Sequence, residues 1–151
     1  MIIQQLNRQD AEKIQVMVKN VDGGGSITTG MGATLVGSGA SIDGVSATKA
    51  LIANARGFIG VAAYDIPING YGLVTAWGYA QSVMISNVGS SITVTAGDLL
   101  LPSTVAGTFF SGQTPAGMST LFYKYVFAAT TVPVDLSNAA QAYVAGIVRA
   151  V

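Results

Sequence analysis

The chain has 151 residues, enough for one domain with a core of its own, and half of them are apolar. Only 9% are charged, about a third of the usual share, and seven basic residues balance seven acidic ones, so no basic stripe exists to meet phosphates and nucleic acid is a poor partner. With no cysteine and no histidine, disulfides are excluded, and the commonest metal ligand and commonest general base are both missing.

A free monomer this apolar and this poor in charge presents surface that attracts partners, so much of it is expected to be covered by other protein. No apolar run approaches the roughly 20 residues of a spanning helix, so no membrane is expected. The opening MIIQQLNRQDAEKIQ places polar and acidic residues where a signal peptide needs its apolar stretch.

Six of the fourteen charges fall in the first 22 residues. This section, residues 1–22, reads as a polar arm followed by a first strand; residues 23–151 read as a single β-rich domain. Within it KIQVMVKNV alternates with period two, which predicts a strand over Lys13 to Val21. DGGGS, at Asp22 to Ser26, then has to turn, because three consecutive glycines are costly to fix in a regular element.

Turn signals recur from there on: GMG at Gly30, GSG at Gly37, DG at Asp43, NG at Asn69, NVGS at Asn87, AGD at Ala96 and SGQTPAG at Ser111. Short runs rich in β-branched and aromatic residues lie between them, among them GFIGVAAYDI, SITVTAG and LFYKYVFAATTV. Short strands divided by glycine turns predict an all-β sandwich or barrel. Two stretches have helical character. SATKALIANA, from Ser46 to Ala55, has helix formers and a serine at an N-cap position, and Ser137 begins a turn of helix or coil before a C-terminal strand.

The central stretch NGYGLVTAWGYAQSVMI, from Asn69 to Ile85, contains the only tryptophan and no charge. It predicts a turn and a central strand, with Leu73, Val74, Trp77 and Tyr79 divided between core and subunit contact, one face buried against the domain core and the other against a sister subunit. A core position for Trp77, packed against glycine, outweighs a ligand-stacking or interface role.

Candidate chemistry is sparse. GMGATLVGSGAS lacks the GK[ST] ending of a phosphate loop, and the serines have no histidine to activate them. Asp65, Asp98 and Asp135 are far apart in sequence and would need the fold to bring them together as the paired carboxylates of a glycan hydrolase, and turn or solvated roles outweigh catalysis for them. No cofactor or metal is expected, and an enzyme ranks last. The isolated Arg56 and Arg149 are either surface cations with stems lying on apolar surface or partners of a carboxylate across an interface.

The segments KIQVMVKNVDGGGSITTGM, SIDGVSATKA, GFIGVAAYDIPINGYGLVTAWGYAQSVMI, SITVTAGDLLLPSTVAGTF, YKYVFAATT and YVAGIVRAV together resemble the capsid decoration (cement) proteins of tailed bacteriophages, over nearly the whole chain. The resemblance implies a structural virion protein, made in the host cytoplasm, that binds the major capsid protein on the outer surface of a phage head as a homotrimer and stabilises capsomer contacts. Under it, Leu6, Arg8, Ile14, Val16 and Val18 of the arm and first strand, with Arg56, Tyr71, Trp77, Tyr79 and Arg149, form the subunit or shell interface. The alternative is a carbohydrate- or receptor-binding β-module of a phage head or tail fibre, with Tyr71, Trp77 and Tyr79 as a stacking face.

Overall fold

One strand of 16 residues, β5 (Tyr71–Ser86), is shared by two closed circuits of a single nine-stranded sheet. The computed structural model describes residues 13–36, 44–87, 92–111, 125–131, 133–136 and 141–150. Leu6 and Arg8, the arm before Lys13, and the expected turns at Gly37, Asp43 and the greater part of those at Asn87 and Ser111 lie outside those residues, as does the start of the C-terminal segment at Ser137.

The first circuit runs through β1 (Ile14–Asn20), β3 (Ser46–Lys49), β2 (Gly32–Leu35), β4 (Phe58–Ala62) and β5, and closes where β1 pairs antiparallel with β5 from Ile14↔Trp77 to Lys19↔Tyr71. The second runs from β5 through β11 (Gln141–Arg149), β9 (Tyr125–Ala128), β7 (Leu99–Pro102) and β8 (Phe109–Ser111), and closes where Phe109 meets Ile85 of β5. A separate two-stranded sheet joins β6 (Ile92–Val94) to β10 (Val134–Leu136). The architecture is all-β and barrel-like, as the spacing of turns and strands implies.

Each circuit surrounds its own core. Val18, Ile27, Ala33, Ala47, Ile59, Ala62, Ile66 and Val74 fill the first. Phe58, Val61, Val83, Ile85, Leu100, Phe109, Val126, Val144 and Val148 dominate the second. The short apolar run FIGVA of β4 is buried throughout because it is a wall of both: Ile59 and Ala62 join the first core, Phe58 and Val61 the second. Phe58 meets Phe109 edge to face, with centroids 5.6 Å apart and rings at 83°.

β5 bends to do this. Thr75 and Ser82 line one cleft, although a straight strand would hold residues seven apart about 23 Å from each other. Gly78, at φ 98, lies in the bend. Gly60 has φ 149 where β4 crosses β5, and any Cβ there would lie inside the Thr75 carbonyl.

The loops that close the first circuit are pinned by polar side chains. Buried Asn20 donates from Nδ2 to the carbonyls of Ile66 (2.9 Å) and Gly25 (3.1 Å), and its Oδ1 accepts from the Asp22 N–H (2.8 Å). This holds the Asp22–Gly25 turn. Before β5, Asn69 adopts φ 59, and the turn closes as the Gly70 N–H donates to the Pro67 carbonyl at 2.9 Å.

The helix expected over Ser46 to Ala55 is displaced. Ser46–Lys49 is strand β3, because pairing to β2 (Ala47↔Leu35, Lys49↔Ala33) outweighs the helix preference of its alanine and lysine. A 3-10 helix follows at Ile52–Gly57, and the Leu51 N–H donates to Asn54 Oδ1 at 2.6 Å at its start. Serine is therefore not the cap.

Phe109→Ala removes the aromatic partner of Phe58 at the point where the second circuit closes. It is expected to cost about 3–5 kcal/mol, a large part of the 5–15 kcal/mol typical of a domain, in urea unfolding. A loss under about 1 kcal/mol would contradict the role assigned to this pair.

Candidate functional site

The sheet register gathers four of the sequence-nominated residues. Trp77 pairs with Ile14 on one edge of β5 and with Arg149 on the other, and Tyr79 pairs with Ile147. Directly opposed residues of an antiparallel pair share a face, and Tyr79 stands two positions from Trp77, so Ile14, Trp77, Arg149, Tyr79 and Ile147 form one outward surface. Ile14 is 45% exposed, Ile147 46% and Tyr79 39%, while Trp77 is half-buried.

Two cations lie on this surface. The Arg149 guanidinium sits 4.8 Å from the Trp77 ring centroid and the Lys13 ammonium 5.6 Å from that of Tyr79. Such contacts contribute about 0.5–1 kcal/mol at exposed sites. Both residues are exposed, so each charge rests on a ring face while keeping water around it. Trp77 is thus not the core residue that the sequence favours: the two circuits have their cores on the inner side, and its ring is left on the outer one. Within the chain alone, Val74–Ala76 and Val83–Ile85 of the Asn69 to Ile85 stretch are buried, Asn69, Tyr71, Tyr79 and Gln81 are exposed, and Trp77 is half-buried.

The remaining nominations separate. Val18 is fully buried in the first core, opposite Gly72, and has no surface to offer an interface. Period-two alternation in β1 predicts a shared face for Val16 and Val18, but exposure rises toward the start of the strand, so Val16 is open and Val18 is not. Tyr71 is exposed but stands six residues from Trp77, roughly 20 Å along an extended strand. Arg56 is exposed on the 3-10 helix, a different element.

The three aspartates each serve local structure. Asp135 Oδ1 accepts from Thr93 Oγ1 at 2.6 Å across the β6–β10 pair, and Asp98 Oδ2 accepts from the Thr95 N–H at 2.8 Å within its turn. Asp65 Oδ1 accepts from the Thr29 N–H (2.7 Å) and from Thr29 Oγ1 (2.9 Å); the backbone donor first, then the hydroxyl, hold its pKa below the ordinary 3.8. A general acid needs the opposite shift. No group of three or more histidine, cysteine, aspartate or glutamate side chains that could hold a metal occurs among the described residues.

Beside the outward surface, Tyr79 also borders a cleft of about 190 Å3 with Lys13, Gln15, Thr29, Tyr64, Gln81 and Ser82 on its walls. The sequence reading misses Ile147 and this cleft. Alternation along QAYVAGIVR carries the signal for Ile147, since every second residue from Gln141 points outward, but which neighbour it meets is set by register.

No known family, curated protein or solved structure matches the chain. No helix among the described residues is long and apolar enough to cross a membrane.

The lowered pKa of Asp65 sets a pH dependence. A carboxylate whose folded pKa is depressed stabilises the fold fully above its unfolded pKa, and that contribution is lost as the pH falls through the folded value. The gap in urea midpoint between the wild type and Asp65→Asn should be widest at neutral pH and close in acid below 3.8. A gap that stays constant with pH would contradict this pairing.

Proposed function

We propose that the protein is a structural virion component, a capsid decoration (cement) protein that binds the outer surface of a phage head and stabilises contacts between capsomers. The observation that carries this reading is the outward surface of Ile14, Trp77, Tyr79, Ile147 and Arg149 on a chain with so few charges. Aromatic residues and arginine are the types enriched where proteins meet, and lysine and acidic residues are depleted there. The sequence resemblance to decoration proteins supplies the partner, the major capsid protein, and the homotrimeric arrangement.

The mechanism is linkage. A subunit that binds the assembled lattice, and not its dissociated parts, stabilises the lattice by its binding free energy. Burying side chains such as Trp77 and Ile147 contributes about 1.5–3 kcal/mol each, against association costs of roughly 4–15 kcal/mol, so one copy binds modestly. Copies joined as a trimer and repeated over a shell act together.

Light scattering of the purified chain should give the mass of a trimer, and the same sample should co-sediment with undecorated phage heads and raise the temperature at which they break. Trp77→Glu, which places a carboxylate at the centre of the surface, should abolish co-sedimentation without unfolding the domain. A monomer that leaves heads unbound, or a Trp77→Glu protein that binds as well as wild type, would overturn the proposal.

A further inference from the structure

We propose that the cleft in the bend of β5 binds a single neutral sugar ring, the terminal unit of a saccharide. Its volume of about 190 Å3 is below the roughly 300 Å3 at which pockets for drug-sized ligands begin, and it fits one ring rather than a chain. Its walls combine two aromatic side chains, Tyr64 and Tyr79, with the amides of Gln15 and Gln81 and the hydroxyl of Ser82. Tyr64 is 70% exposed and open for stacking, while Tyr79, 39% exposed, has Lys13 over its ring. Gln15 and Gln81 are exposed as well, and among the described residues their amides have no side-chain hydrogen-bond partner.

Other ligand classes fit less well. The described lining holds one cation and no carboxylate. Lys13, the cation, already lies over the Tyr79 ring, which leaves an anion without the second positive group that would fix it. A divalent metal lacks charged oxygen ligands there. An apolar ligand would strand the amides and hydroxyl without water, a cost that grows with each group. A sugar ring presents hydroxyls as both donors and acceptors, which primary amides match, and a C–H face that lies on tyrosine.

A site this small binds weakly, with Kd in the millimolar range. On the decoration reading Tyr79 belongs to the shell-binding surface as well, so the sugar site is the one open on the free protein. The site itself does not depend on that reading.

The test is titration of the full chain with galactose, glucose, mannose and N-acetylglucosamine, followed by amide shifts in two-dimensional NMR. At least one sugar should give saturable shifts centred on Gln15, Tyr79 and Gln81. Tyr64→Ala and Gln81→Ala alter exposed side chains and should keep the wild-type melting temperature while weakening that binding by about tenfold, the scale of one lost hydrogen bond. No saturable shift with any of the four, unchanged affinity in both variants, or saturation by inorganic phosphate alone would overturn the proposal. Head binding is read on separate samples and should survive both substitutions, so failure of one proposal is distinguishable from failure of the other.

Discussion

The double use of β5 is the constraint on which the rest of the fold depends. Its first half pairs with β1 and β4, its second with β11 and β8, so both edges are occupied at each end. Two closed circuits cannot share a straight strand and still each enclose a core. The bend around Gly78 and the close crossing at Gly60 are what reconcile them, and β4 becomes a wall buried from both sides. The same geometry uses up the inner sides of both circuits. The outer side of the shared strand, at Trp77 and Tyr79, has no further layer of the described chain to cover it.

An outward sheet surface in a monomeric protein is normally polar, and here it carries tryptophan, tyrosine and isoleucine. The two cations over its rings partly screen it in the free protein. Their contribution, at about 0.5–1 kcal/mol each, is smaller than the 1.5–3 kcal/mol that burial of one large apolar side chain supplies. Docking of another protein therefore wins over the free arrangement if shape complementarity excludes water. A guanidinium stacked on Trp77 can also remain in place on docking and turn its donors toward a partner's carboxylates.

Much of the fold was legible in the sequence, and for local reasons. KIQVMVKNV alternates, so β1 was readable; DGGGS and the Asn69–Gly70 turn announce themselves through backbone chemistry. The C-terminal strand followed from its valines. The failures share a different cause. Ser46–Lys49 has helical composition but lies where β2 needs a partner, and Trp77 looks like a core residue until closure of two circuits decides which side is inside. Of the nominated surface, Ile14, Trp77, Tyr79 and Arg149 converge through the β1–β5–β11 register, which pairs residues up to 135 positions apart (Ile14 and Arg149, through Trp77) and leaves no local mark. Val18 was misassigned because alternation gives the face of a strand but not where along its length the core begins.

Hydrogen exchange on the chain free and bound to undecorated heads tests the central claim most directly, since it reports which surface is covered. Binding through the outward surface predicts added protection confined to the start of β1, the middle of β5 around Trp77 and Tyr79, and the end of β11 around Ile147 and Arg149. Protection elsewhere, with those three segments exchanging as fast as in the free protein, would contradict it.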